Sequence, residues 1–156
     1  MSQTAVVMDA LRRAPLIVLP LVREAPPEDL RKRPAPNRWS IHEHACHLAH
    51  VHGLFFDRLD RMLAEPEPVI RPYLPGAQEA DDFLLKMDLE GSLGRYAADR
   101  ARLVERLEKL SEADWSSTAE HGEYRVYSVF IMFRHVALHD FLHAYRIEEL
   151  VLKRGG

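Results

Sequence analysis

A single cysteine, Cys46, stands in the whole chain. No disulfide can form within it, and a reducing, cytoplasmic setting is expected. Long apolar runs are missing too. The stretch MSQTAVVMDALRRAPLIVLPLVREAP holds an apolar segment far too short to span a bilayer, broken by Pro15 and Pro20 and lacking a positive start. Neither a membrane helix nor a signal peptide is expected from it. No stripe of positive charge exists either: the net charge is −3, with acids and bases interleaved, which argues against nucleic acid as a partner. The one basic cluster, Arg31, Lys32 and Arg33, reads as a solvated loop. Alternating apolar and polar residues, the mark of half-buried strands, are nearly absent, as are repeats and low-complexity tracts.

What remains is an ordinary globular composition, 47% hydrophobic and 29% charged over 156 residues. That suits one domain, 1–156, with a sizeable core. The periodicity predicts helices separated by Pro- and Gly-bearing loops. A first helix spans roughly Val6 to Glu24, with Pro15 placed to kink it. A second starts at Ser40, where Ser40 and Glu43 form a capping box, and runs to about Leu63 or Ala64. The proline-rich EPEPVIRPYLPG follows as a loop, then a short helix around Glu79 to Lys86 and a longer one from about Leu89 to Leu110. SEADW repeats the cap pattern at Ser111 and Asp114, and the last helix runs from near Ser128 to about Lys153. Four principal helices make an all-α four-helix bundle the natural architecture.

The last helix has two apolar faces. Val129, Met132, Val136, Ile147 and Leu150 form one; Phe130, Leu138, Phe141, Tyr145 and Leu152 form a second on roughly the opposite side at ~100° per residue. A helix apolar nearly all round must be covered nearly all round: either it sits centrally, or a partner chain covers its second face, and of the two a homodimer is the favoured expectation.

Nine histidines are present, eight of them in two short clusters. In the second cluster His135, His139 and His143 follow one another at four-residue intervals. On a helix, positions four apart share a face, and two imidazoles so placed can bind one metal ion from the same side. His139 and His143 meet this condition on the first apolar face, while His135 lies further toward its edge. Two partly buried imidazoles without a metal would need two sets of hydrogen-bond partners. A third ligand must come from elsewhere. The first cluster, SIHEHACHLAHVH, offers His42, His44, His47, His50 and His52. His42 and His47 are five apart, on faces about 140° from each other, so they cannot chelate together. His44 with His47, or His47 with His50, could share a face, and spacing alone leaves the choice open.

HDFLH has the HExxH spacing with Asp for Glu. Asp140 is therefore a candidate general base or a hydrogen-bond partner that orients a ligand imidazole; with no further ligand downstream, protease chemistry is disfavoured. His135 and His50 are candidates for handling protons beside a metal. Trp39 and Trp115 read as packing anchors, and Cys46 as a small buried apolar residue.

NRWSIHEHACHLAHV resembles the W-S-x-x-E-x-x-x-H-L signature of the DinB-like superfamily, matched by Trp39, Ser40, Glu43, His47 and Leu48. RHVALHDFLHAYRIEEL resembles that superfamily's final helix, with H-[ED]-x-x-H falling on His139, Asp140 and His143, and LSEADW also fits. The resemblance runs from about Leu11 to Leu152. It implies an up-down-down-up four-helix bundle, commonly dimeric, in which His47, His139 and His143 hold a divalent metal ion, zinc or nickel. Three neutral imidazoles leave the ion its full charge and an open position, so that a water would be acidified toward a pKa of ~7 and a thiol held as thiolate. The implied function is a metal-dependent enzyme acting on a small molecule. S-transfer from a low-molecular-weight thiol to a small electrophile comes first and hydrolysis second; a non-catalytic metal-binding helical dimer is the competing class.

Overall fold

Ser2 accepts a hydrogen bond from the Ala5 amide at 3.1 Å and starts α1, Gln3–Arg23, three residues earlier than periodicity suggested. The computed structural model describes residues 1–77 and 79–153. Pro15 and Pro20 both lie inside α1. Proline lacks the amide that would bond four residues back, so Pro15 leaves the Leu11 carbonyl free. That carbonyl accepts instead from Arg100 Nη1 at 3.1 Å.

The capping box at Ser40 and Glu43 is formed and opens α2, Ile41–His50. The single long helix expected here is divided: α3, His52–Ala64, begins after a one-residue interruption at Val51. The break falls where His52 Nδ1 takes the Leu48 carbonyl at 3.0 Å, a side-chain bond that competes with the helical amide ladder. The helix expected around Glu79 to Lys86 is only a 3-10 turn at Leu84–Lys86. Next come α4, Leu89–Glu108, and the short α5, Glu112–Trp115, opened by the second capping box at Ser111 and Asp114. Ser128 caps the 24-residue α6, Val129–Leu152. Two strands escaped notice in the sequence, β1 (Val69–Ile70) and β2 (Glu120–His121), which pair in parallel, Val69 with Glu120 and Ile70 with His121.

Side-chain pairs give the helix directions. Arg12 meets Glu108 and Arg23 meets Glu90, so α1 and α4 are antiparallel. His42 bonds the Met87 carbonyl and His52 meets Arg100, so α2 and α3 run with α4. His44 meets His143 and His47 meets His139, so α6 runs against α2. The sequence is up, down, down, up. The two parallel neighbours require the long return through residues 65–88 that carries β1.

The apolar core falls into two groups. Leu11, Leu59, Leu103, Leu107, Met132 and Phe133 fill one end; Val18, Leu48, Leu93, Tyr96, Ala144 and Ile147 fill the other. A buried polar layer joins them. Arg100 donates to both carboxylate oxygens of Asp140, at 2.6 and 2.9 Å, while Tyr96 Oη donates to Asp140 Oδ1 at 3.0 Å. His52 Nε2 accepts from Arg100 Nε at 3.3 Å.

The first apolar face of α6 lies in this core. On the second, Leu138 is 63% and Tyr145 60% exposed, and Phe141 and Leu152 are exposed as well. Arg33 corrects the reading of its cluster as a solvated loop: its guanidinium grips the fully buried Glu43 carboxylate and reaches Asp81 Oδ2 at 2.7 Å. It thereby ties two loops to the start of α2. Cys46 is fully buried, as expected of a small apolar residue. Among the described residues no helix is long and apolar enough to cross a membrane.

Candidate metal centre

α2 and α6 cross with their histidines facing. His47 Nε2 lies 3.0 Å from His139 Nε2, and His143 Nε2 lies 3.1 Å from the same atom. One ring nitrogen from each of the three histidines falls within 4.8 Å of the other two. The i,i+4 step on α6 supplies two of the three side chains, and the docking of α2 supplies the third. His44 and His50 are not part of this group.

The arrangement suits a cation better than hydrogen bonds. A neutral imidazole nitrogen carries one proton or one lone pair, so His139 Nε2 cannot serve both neighbours. Three imidazole nitrogens placed tetrahedrally around zinc at 2.0–2.1 Å stand about 3.4 Å apart, a few tenths of an ångström wider than the pairs here. All three side chains can supply an inward lone pair. His139 Nδ1, on the outer edge of its ring, is buried without a hydrogen-bond partner.

His143 is supported from behind. Its Nδ1 lies 2.8 Å from Nδ1 of His44. With the His143 Nε2 lone pair turned inward, Nδ1 carries the proton and donates to His44, fixing the tautomer of both rings (assigned from the network). Trp39 covers the cluster: its ring centroid is 4.8 Å from that of His47 and 5.9 Å from that of His143, to which it stacks at 21°. It anchors the site as well as the loop. Replacing His44 with Ala should weaken metal affinity by about 10–100-fold, the usual range for a partner that orients a ligand, as a chelator competition would measure. An unchanged affinity would show that His143 needs no such support.

Burial is the main cause that pushes these imidazoles down; neighbouring rings add to it at His47, His139 and His143, and the charges of Arg146 and Arg38 at His44. His47 falls to about 3, His143 to about 2, and His44 and His139 to about 4. They are neutral at pH 7, as metal ligands must be. Above the unfolded value of ~6.5 these groups are neutral in both states. Below it the unfolded chain takes up protons that the folded chain refuses, so the stability present at neutral pH is lost as pH falls toward the folded values. The chelator-treated protein should therefore melt at lower temperature at pH 5 than at pH 7.5. A melting midpoint that rises on acidification would contradict the burial of neutral imidazoles.

The other candidates fall elsewhere. Asp140 is neither a general base nor a hydrogen-bond partner of a ligand, because both its oxygens face Arg100 and Tyr96 in the polar layer. His50 lies beside Phe83 and 3.4 Å from Glu79, away from the cluster. His135 is exposed, with its ring stacked 6.5 Å from that of His139. It lines a cavity of about 190 Å³ that His47, His139, Tyr73, Tyr127 and Arg58 also border. A second cavity, of about 290 Å³, is also bordered by His47 and Tyr73, together with Trp39, Glu79 and Phe83. Tyr73, Arg58 and Tyr127 carried no signal in the sequence, since each reaches the site from a distant segment.

A family model described as the DinB superfamily matches residues 10–147. Among solved structures the chain is similar to YfiT from Bacillus subtilis, described as "a probable metal-dependent hydrolase with an unusual four-helix bundle topology". The match has a TM-score of 0.84 at 23% identity and covers 96% of this chain and 87% of that one. No curated protein matches the chain.

Proposed function

We propose a function from this premise: the chain belongs to the DinB superfamily. The protein is a metal-dependent enzyme in which His47, His139 and His143 hold a divalent ion, zinc or nickel. The observation that carries this reading is the convergence of three Nε2 atoms that hydrogen bonding alone cannot satisfy. When bound, the ion supplies Lewis acidity, which activates a thiol or a water at neutral pH. The chain's own part is to keep the three rings neutral, to orient His143 through His44, and to wall the site with Trp39 and Tyr73.

S-transfer from a low-molecular-weight thiol to a small electrophile is the first reading. It is favoured by the two cavities that share His47 and Tyr73, an arrangement suited to two reactants meeting at one place. Hydrolysis is the second reading, favoured by the description given to the structurally similar YfiT. Incubating zinc- and nickel-loaded protein with glutathione, cysteine and 1-chloro-2,4-dinitrobenzene, and separately with p-nitrophenyl esters, tests both. Thiol consumption above the metal-free protein supports transfer, and ester cleavage without thiol supports hydrolysis. Metal-loaded protein that does neither, over a broad set of thiols, electrophiles and esters, would leave the non-catalytic alternative.

A further inference from the structure

Arg58 is a buried charge that neither the core nor the histidine cluster accounts for. It sits on α3, 7% exposed. Its Nη1 donates to Tyr127 Oη at 3.2 Å and its Nη2 to the Arg71 carbonyl at 2.8 Å, and the guanidinium lies 5.8 Å from the Phe55 ring centroid. All of these partners are neutral. The other deeply held guanidiniums, Arg33 and Arg100, each grip a carboxylate; among the described residues Arg58 has none. A guanidinium keeps its proton in a protein, and a buried cation without a counter-charge is costly. Two of its five N–H groups are engaged.

Arg58 borders two cavities, one of about 530 Å³ beside Asp57 and Arg61 and the 190 Å³ space shared with Tyr127, His47 and His139; the second is the one that reaches the histidine cluster. Tyr127 accepts from Arg58 through its oxygen and keeps its own O–H to donate. His121 Nδ1 accepts from the Glu123 amide at 3.1 Å, which leaves a proton on Nε2. Burial first, and then the charge of Arg58, lowers the pKa of both His121 and His135, so the imidazoles beside Arg58 do not add positive charge at neutral pH. The only carboxylate on the described lining is Glu123, which is exposed and unpaired with Arg58. Tyr73, Tyr124 and His121 also line this space. At this volume, below the 300–1,000 Å³ of drug-sized sites, only a small molecule fits.

We infer that this cavity binds a small organic carboxylate, its anionic end on Arg58 and Tyr127 and its other end toward His47 and His139. The substrate class of the proposed enzyme is thereby a compact carboxylate with an apolar or aromatic body. The identification of that end as the reacting one rests on the metal reading; the binding of the anion does not.

NMR titration with phenylacetate and its neutral counterpart phenylacetamide tests this on zinc-loaded protein, on metal-free protein and on the Arg58→Gln variant. The expected result is an acid-over-amide preference of at least about tenfold, lost in Arg58→Gln and kept in metal-free protein. A preference that survives Arg58→Gln, or that disappears with the metal, would overturn the assignment, as would no preference in the parent protein. Should Arg58→Gln fail to fold, the Arg58 Nε–H resonance of the parent protein, assigned by its loss in Arg58→Lys, decides. It moves with the acid and not with the amide, and a resonance that ignores both overturns the proposal. Failure of the three-histidine reading looks different: the protein takes up no zinc, yet the carboxylate preference persists.

Discussion

Replacing His139 with Ala should lower zinc affinity by about a thousandfold or more, well beyond the ~10–100-fold typical of an outer partner. His139 Nε2 is the atom to which both other histidines point, at 3.0 and 3.1 Å. Removing it leaves two imidazoles, one on each helix, and a site of two protein ligands is below the three that open metal sites use. His47→Ala should behave alike. The informative controls are the nearby histidines outside the cluster. His50→Ala and His135→Ala should each change affinity by no more than a few-fold, because His50 is held by Glu79 and Phe83 and His135 only stacks on His139 from the cavity side. Competition against a chromophoric chelator measures all four. Equal losses at His135 and His139 would mean that the metal sits in the cavity and not between the helices.

The second large effect concerns stability. Asp140→Ala should destabilise the fold by about 3–5 kcal/mol, the usual cost of leaving one partner of a buried ion pair behind. At ~2–4 °C per kcal/mol for a chain of this size, the melting midpoint drops by about 10 °C. The pair is almost wholly buried, with Arg100 at 3% and Asp140 at 1% side-chain exposure. Arg100 would then keep the Leu11 carbonyl, opened by Pro15, the His52 ring and the face of Tyr96, all of them neutral. The double replacement Arg100→Met with Asp140→Leu should recover most of the loss, since the desolvated charges go together. Thermal melts of the three variants decide it. A single Asp140→Ala variant as stable as the parent would show that the polar layer contributes nothing to the fold.

Local signals in the sequence were legible where the physics is local. The capping boxes at Ser40–Glu43 and Ser111–Asp114 and the cap at Ser128 set three helix starts close to where the chain forms them. The i,i+4 pair His139 and His143 likewise depends on one helix alone. The features that misled depend on partners far along the chain. Arg33 looks solvated until α2 brings Glu43 to it and the later loop brings Asp81. HDFLH has a metalloprotease spacing, but both Asp140 oxygens are taken up by Arg100 and Tyr96 on α4. The one-residue break at Val51 follows from a histidine ring reaching back to Leu48, which no periodicity registers.

The choice of His47 over His44 and His50 came from resemblance, because all three lie within two turns of α2 and periodicity cannot rank them. Only the antiparallel docking of α2 on α6 separates their roles: His47 faces the shared space, His44 backs His143, and His50 turns to Glu79. The β1–β2 pair is equally invisible, two residues on each side joined across fifty residues of chain.

X-ray absorption spectroscopy of the zinc-loaded protein measures the centre itself. Three imidazole nitrogens at about 2.0–2.1 Å, completed by oxygen and without sulfur, is the expected result, with the imidazole count falling to two in His47→Ala. A shell with sulfur, or one with fewer than three imidazoles in the parent protein, would contradict a single cation held between α2 and α6.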